Sequence, residues 1–225
     1  NYFINIINII NIRKYISFSK LNFVTIKKIY KKTIPFFIIQ FCANIFTSFP
    51  ILIVGYILGP AQAAIFGNGE RLFRIFRSLY SPINRVVLKF SSSEKIHIGQ
   101  QKKGFLFAGI IGIFMFFLGF IFVIFFVENI LGEKYIDSIN VALILMFALP
   151  FIFISNQILH SYIYPSNNES FFMKTLLWLT PFNLIFIFSL SYFLQSNGTA
   201  LSMVIAEIAL FIIFLFFIRT NFKNI

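Results

Sequence analysis

The chain has 225 residues, of which 59% are hydrophobic and 12% are charged, and its formal net charge is +12. Several uncharged runs reach the roughly 20 residues that an apolar helix needs to cross a bilayer. Lysines and arginines cluster between these runs, as orientation signals of membrane proteins do, which argues against nucleic-acid binding. The single cysteine, Cys42, excludes an intramolecular disulfide, and His97 and His160 lack metal-ligand spacing. The composition therefore predicts an all-α integral membrane protein without a metal or other cofactor.

The first 32 residues precede the predicted membrane part. Residues 1–12 are apolar and rich in Asn, and we interpret them as the end of a preceding helix. Residues 13–32 interleave lysines with Ile, Phe, Leu and Tyr, the pattern of a basic amphipathic helix on the cytoplasmic face, where it would meet anionic lipid headgroups. Because the first residue is Asn1 rather than Met, we expect a fragment of a longer chain.

A six-helix transmembrane lobe is predicted over residues 33–220, followed by a cytoplasmic tail at 221–225. Three uncharged stretches are clear spans, and a turn signal at residues 195–198 divides a fourth, longer stretch into a hairpin. The six approximate spans are 34–58, 69–91, 105–127, 138–164, 175–194 and 199–218. Prolines favour kinks in four of these spans, at Pro50, Pro82, Pro150 and Pro181.

The span at 69–91 is assigned from orientation, because its arginines weaken its hydropathy. If it did not cross, the basic residues from Arg71 to Lys103 would lie on the side opposite to residues 13–32, against the positive-inside rule. If it does cross, Lys134 is the main basic residue left on the outer side. We therefore predict that both ends of the segment are cytoplasmic.

Glu70, Arg71, Arg74 and Arg77 form a charged cluster within this span. Glu70, Arg74 and Arg77 are spaced i, i+4 and i+7, so they share roughly one face of a helix. An ionisable group in a membrane helix costs roughly 2.5 to 3.5 kcal/mol on insertion scales and normally faces a cavity or the protein interior. Guanidinium groups bind phosphate oxygens in bidentate fashion, so this face suits a phosphate or pyrophosphate. The alternative is a self-neutralising helix end whose side chains snorkel to the interface.

Other polar residues lie in the predicted spans. Glu207 is the only charge in the last span, where it could bind a coupling cation, pair with an arginine or be a protonated packing residue. The remaining candidates, either for the same cavity or for interhelical hydrogen bonds, are Asn44, Asn84, Asn156, Gln157, His160 and Asn183. No nucleophile with its base and no phosphate-binding loop occurs, so we predict no catalytic residues and no enzymatic activity.

The stretch ILIVGYILGPAQAAIFGNGERLFRIFRSLYSPINRVVLKFSS, residues 51–92, resembles the seventh and eighth helices of Wzx-type polysaccharide (O-antigen) flippases of the MATE-like exporter superfamily. The stretches at 132–157 and 196–215 resemble the segment that enters the tenth helix and the last helix of these flippases. Nearly the whole chain is covered. The residues that match are Gly55, Tyr56, Leu58, Gly59, Phe66, Arg71, Gly198, Ala200 and Glu207.

The resemblance implies the C-terminal lobe of a twelve-helix MATE-like transporter in the bacterial cytoplasmic (inner) membrane. The whole protein would flip undecaprenyl-pyrophosphate-linked oligosaccharide to the outer leaflet by alternating access, for O-antigen, capsule or other surface polysaccharide. Arg71, Arg74 and Arg77 would bind this substrate, and Glu70 and Glu207 would be cavity or coupling-ion residues. Further partners would be membrane lipids and the polysaccharide polymerase and chain-length machinery.

Two other functions stay open at this point. One is a multidrug or organic-cation exporter of the same superfamily, although its cavity should favour acidic residues over arginines. The other is a membrane scaffold subunit without a transport path, in which the charged face contacts another protein.

Overall fold

The computed structural model describes residues 23–82, 98–131 and 136–221, and every regular element in these ranges is helical. The chain divides into two units, Asn1–Pro35 and Phe36–Ile225. In the first unit the described residues are helical, and the Thr33 hydroxyl donates a hydrogen bond to the Ile29 carbonyl at 2.9 Å. The first half of the predicted basic surface helix at 13–32, residues 13–22, lies outside the described residues.

The helices are α1 (Phe23–Leu58), α2 (Pro60–Ser78), α3 (Ile98–Leu131), α4 (Ile136–Met146), α5 (Leu149–Ile158) and α6 (Glu169–Asn221), with a π-helical turn after α5. The all-α class is therefore confirmed for the described residues. Within the described residues, four segments are long and apolar enough to cross a membrane, which indicates a multi-pass membrane protein. They are Thr33–Leu58, Gly104–Phe125, Ile136–Ile163 and Glu169–Asn221.

A glycine separates α1 from the arginine-bearing helix α2. Gly59 has a φ of 87°, which favours glycine, and Pro60 occupies the first turn of α2, where its missing N–H breaks no helical hydrogen bond. The helix therefore begins well before the predicted span at 69–91. Gly69 lies inside it, where a Cβ would overlap Val141 and the Ser138 carbonyl. The second half of the predicted span lies mostly outside the described residues.

The break between α4 and α5 lies just before Pro150. The Phe147 and Ala148 N–H groups donate to carbonyls three residues back, Ile144 at 3.2 Å and Leu145 at 3.0 Å. This tighter turn arises because a proline has no N–H and its ring crowds the carbonyl four residues back. The kink predicted at Pro150 is therefore confirmed. Helices α1 and α6 continue through Pro50 and Pro181, and Pro82 is the last described residue before the gap.

Helix α6 is two antiparallel arms, 169–194 and 196–221, that meet at Gln195. Gln195 has non-helical angles, with φ 54° and ψ −139°, at the start of the predicted turn. The Ser191 and Thr199 hydroxyls hydrogen-bond across the bend at 2.6 Å, and the rings of Phe171 and Phe217 stack at 4.2 Å near the open end. Going from one contact to the other, the residue number falls on the first arm and rises by nearly the same amount on the second, as expected for antiparallel arms.

The largest apolar core lies where α2 packs on α3, α4, α5 and the second arm of α6. Phe66, Phe73 and Phe76 of α2 are buried there together with residues of α4 and α5. The exposed large hydrophobic residues are spread over α1, α3 and both arms of α6, as expected for helices with lipid-facing surfaces. The arginine helix is therefore a central element of the fold, held by three phenylalanines on its buried face.

Gly198 allows the closure of the α6 hairpin, so we expect Gly198→Ala to destabilise the protein. A Cβ at residue 198 would overlap the Leu190 carbonyl oxygen, which is backbone and cannot turn away. We expect a loss of about 1 to 3 kcal/mol, the usual cost of overpacking, measured by thermal unfolding of the purified protein in lipid nanodiscs.

The control is Gly55→Ala, whose Cβ would make ordinary contact with Ala63 at 3.5 Å. This change should leave stability unchanged or raise it by up to about 1 kcal/mol, because alanine is the better helix former. Equal melting temperatures for the two variants would contradict the tight hairpin.

Candidate functional site: the Arg77–Glu207 cavity

A cavity of about 250 Å³ lies among α1, α2, α5 and both arms of α6. Most of its lining is apolar, with aromatic and aliphatic side chains such as Phe46, Ile152 and Leu210. Five lining residues carry polar side chains: Thr47, Arg77, Ser155, Asn156 and Glu207. A mostly apolar pocket with a few polar groups is the usual form of a small-molecule site. We call it the Arg77–Glu207 cavity.

Arg77 and Glu207 form an ion pair between α2 and the second arm of α6. Arg77 Nη2 and Glu207 Oε1 are 3.8 Å apart, and the two side chains are 37% and 19% exposed. This separation exceeds normal hydrogen-bond length, so the pair is held by charge attraction rather than by directed hydrogen bonds. Among the described residues, the Arg77 guanidinium makes no hydrogen bond. Its donors therefore remain available to another acceptor.

The ion pair lies level with the middle of the apolar helices. Phe76 and Met146 both pack against Gly119, and the Tyr80 ring stacks on Phe153 at 4.3 Å. Arg77 lies between Phe76 and Tyr80 in the chain, so it is level with the middle of the segment Ile136–Ile163. Glu207 likewise lies near the middle of its arm.

Ser155 and Asn156 bring neutral polar groups to the cavity. Ser155 is 3% exposed, and no described residue accepts or donates a hydrogen bond at its Oγ. Thr47 differs, because its hydroxyl already donates to the carbonyls of Ala43 and Asn44 in its own helix at 3.1 and 3.2 Å. An unpartnered buried hydroxyl loses hydration without compensation. The Ser155 hydroxyl is therefore available to form a hydrogen bond with a molecule in the cavity.

The other charges of α2 are arranged differently from Arg77. Both Glu70 oxygens accept hydrogen bonds at 2.5 Å from Arg74 Nη2, one helical turn away. The Glu70 side chain is 10% exposed and that of Arg74 60% exposed, so the guanidinium covers the carboxylate from the outer side. Arg71 is exposed, and its side chain has no ion-pair partner among the described residues. Arg71, Arg74 and Glu70 do not line the cavity.

The asparagines expected to share a cavity are separated in the structure. Asn156 lines the Arg77–Glu207 cavity, whereas Asn44 is exposed and accepts a hydrogen bond from Gln40 at 3.4 Å. Asn44 does not line this cavity, and Asn84 lies outside the described residues. The buried Asn183 lines a smaller pocket between the two arms of α6. Of the residues predicted for the site, the structure brings together Arg77, Glu207 and Asn156.

Ser155 was not predicted from the sequence, whereas Gln157 was a candidate for an interhelical hydrogen bond, which the structure shows. Ser155 precedes Asn156 and Gln157 in a polar triplet inside an apolar segment, and this interruption was the available signal. The Tyr80 hydroxyl donates to Gln157 Oε1 at 3.3 Å, and Gln157 Nε2 donates to the Ser161 hydroxyl at 2.9 Å. This buried chain of hydrogen bonds ties the end of α2 to the π-helical turn Leu159–Ile163. π-helical turns occur frequently at functional sites.

Comparison with known proteins finds no family model and no curated protein that match the chain. The functional argument therefore depends on the geometry of the cavity and of the charges on α2.

Removing one partner of the Arg77–Glu207 pair should lower the free energy of unfolding more than removing both. Arg77→Gln leaves a carboxylate at mid-helix depth without a counter-charge, and Glu207→Gln does the same to the guanidinium. We expect the double variant to be more stable than the sum of the single effects by about 0.5 to 3 kcal/mol. Thermal unfolding in nanodiscs measures the three variants.

Arg219→Gln combined with Glu207→Gln is the matched control, because Arg219 is exposed and lies three turns further along the same arm. The effects of these two changes on the free energy of unfolding should be additive to within about 0.5 kcal/mol. Additivity for Arg77 and Glu207 as well would mean that the two charges do not interact.

Proposed function

We propose that the chain is part of a membrane transporter that flips undecaprenyl-pyrophosphate-linked oligosaccharide to the outer leaflet for surface polysaccharide synthesis. The observation that carries the proposal is a permanently charged guanidinium, Arg77, at mid-helix depth beside a cavity, with Arg71 and Arg74 exposed on the same helix. Charges inside membrane segments are rare and typically mark a substrate or ion pathway. The sequence resemblance to Wzx-type flippases supports the same class of substrate.

The proposal includes six spans, with the arginine helix and the residues after it forming the second. Near the start of α2, Gln62 Nε2 donates to Gln195 Oε1, at the α6 bend, at 3.3 Å. Three apolar segments lie between these residues: α3, the α4–α5 segment and the first arm of α6. Three crossings alone would put Gln62 and Gln195 on opposite faces of the membrane. Their contact supports a further crossing between residues 62 and 98.

In this mechanism the arginines attract the substrate and the ion pair responds to it. Arg71 has an exposed guanidinium with no ion-pair partner among the described residues, and its role is to contact the pyrophosphate or an acidic sugar first. Arg77, held to Glu207 at 3.8 Å without a hydrogen bond, then exchanges the carboxylate for a substrate oxygen. Alternating access requires that the substrate bind the inward and outward states differently. The exchange of Arg77 between two acceptors supplies such a difference.

Arg71→Gln is the cleanest test of this function, because it removes a charge that no described residue depends on. We expect about tenfold weaker export, the equivalent of one lost charge-assisted hydrogen bond. The full-length protein is returned to a strain that lacks its gene, and surface polysaccharide and internal lipid-linked oligosaccharide are measured at matched membrane levels. Loss of surface product should accompany accumulation of the lipid-linked precursor inside.

Arg219→Gln is the matched control, since Arg219 is exposed and lies outside the cavity. It should export as well as the wild type. If Arg71→Gln exports as much polysaccharide as the wild type, Arg71 does not lie in the substrate path. If the wild-type protein itself restores no surface product, the flippase assignment is wrong and the cation-exporter and scaffold alternatives take its place.

A further inference from the structure

The lining of the Arg77–Glu207 cavity is more apolar than an oligosaccharide site requires. Sugars carry many hydroxyl groups and require many polar partners, whereas this cavity is mostly aromatic and aliphatic, with its polar groups confined to a few side chains. A pocket lined in this way favours a compact apolar body, because apolar cavities hold water poorly. The occupant should therefore be largely apolar.

The polar groups of the cavity define what the occupant must carry besides an apolar body. Arg77 has the larger exposed fraction of the pair, 37% against 19% for Glu207, and its N–H donors have no acceptor at hydrogen-bond distance among the described residues. Arginine also stays charged in any environment, whereas a carboxylate can be neutralised by a proton. The fixed charge that an incoming molecule meets is therefore positive.

Ser155 gives an independent indication of a ligand. Its hydroxyl is buried in the cavity wall on α5 and has no partner among the described residues, whereas Thr47, which lines the cavity from α1, bonds its own helix. A hydroxyl can donate to an anionic oxygen, and hydrogen bonds to charged groups are stronger than those between neutral groups. Ser155 and Arg77 thus offer donors from two different helices to one cavity.

We infer that the Arg77–Glu207 cavity binds a small organic anion that has an apolar body and one carboxylate, phosphate or sulfonate group. The anionic group is bound by Arg77, with Ser155 as a second donor, and the apolar body occupies the space among α1, α5 and α6. This site does not depend on the proposed flippase function, because it requires neither the exposed Arg71 nor a sugar. It would be a ligand site of the lobe itself.

Three photoreactive probes of one shape and different charge test the inference. They are benzophenone-4-carboxylate, the neutral benzophenone-4-carboxamide and the cationic 4-(aminomethyl)benzophenone. The full-length protein in lipid nanodiscs is irradiated with each probe, and the labelled peptides are identified by mass spectrometry. The carboxylate should label peptides that contain 39–47 or 203–214 at least tenfold more than the other two probes. Equal labelling by the carboxamide, or stronger labelling by the amine, would overturn the inference.

Variants show whether the label reports this cavity. Ala43→Phe fills it from α1 and should abolish the specific labelling, whereas Ala64→Phe, on the exposed side of α2, should leave it unchanged. Arg77→Gln/Glu207→Gln keeps the cavity neutral and should reduce the preference for the carboxylate to about one. If Ala43→Phe does not fold, as judged by gel filtration, Met203→Phe replaces it. Labelling that survives both a folded cavity-filling variant and the charge-free variant would place the probe elsewhere.

Discussion

The ion pair between Arg77 and Glu207 is the interaction on which the rest of this molecule depends. A guanidinium among apolar segments is costly unless it has a partner inside the protein or reaches water, because the hydrocarbon core of a membrane offers no counter-charge. The partner is on the last arm of the chain, so α2 and the second arm of α6 must be adjacent. The cavity exists beside this contact, and both proposals follow from the charge that it leaves available.

Three interruptions of helical geometry allow that contact. The positive φ of Gly59 ends α1 and starts α2, Pro150 bends the α4–α5 segment, and Gln195 folds α6 back on itself. The last fold brings Gln195 to Gln62 and returns Glu207 to the depth of Arg77. Gly59 and Pro150 have special backbone properties, so these two breaks are encoded locally, whereas Gln195 adopts a positive φ that is uncommon for glutamine.

The sequence predicted most of the helical content because long uncharged runs and glycine or proline breaks are local signals. The i, i+4 spacing of Glu70 and Arg74 likewise identified two side chains that meet on one face. The sequence left open whether Glu207 pairs with an arginine and with which one, because the Arg77–Glu207 contact joins residues far apart in the chain. Ser155 was missed for the same reason: only packing decides whether a serine in an apolar helix bonds its own backbone or points into a cavity.

Helix α2 begins at Pro60, ahead of the predicted membrane span at 69–91, because Gly59 and Pro60 set the start of the helix. The packing of Gly69 against Val141 belongs to tertiary structure and has no separate sequence signal. The six-span arrangement remains a prediction supported by one hydrogen bond between the ends of distant elements.

The most direct test of the account is the sidedness of the chain on either end of the arginine helix. In a Cys42→Ala background, single cysteines replace Ala61, Ser92 and Ser166, and intact cells are treated with a membrane-impermeant maleimide before and after permeabilisation. The account predicts that Ala61→Cys is labelled from outside, whereas Ser92→Cys and Ser166→Cys are labelled only after permeabilisation. Labelling of Ala61→Cys and Ser92→Cys from the same side would contradict it, because the arginines would then not cross the membrane.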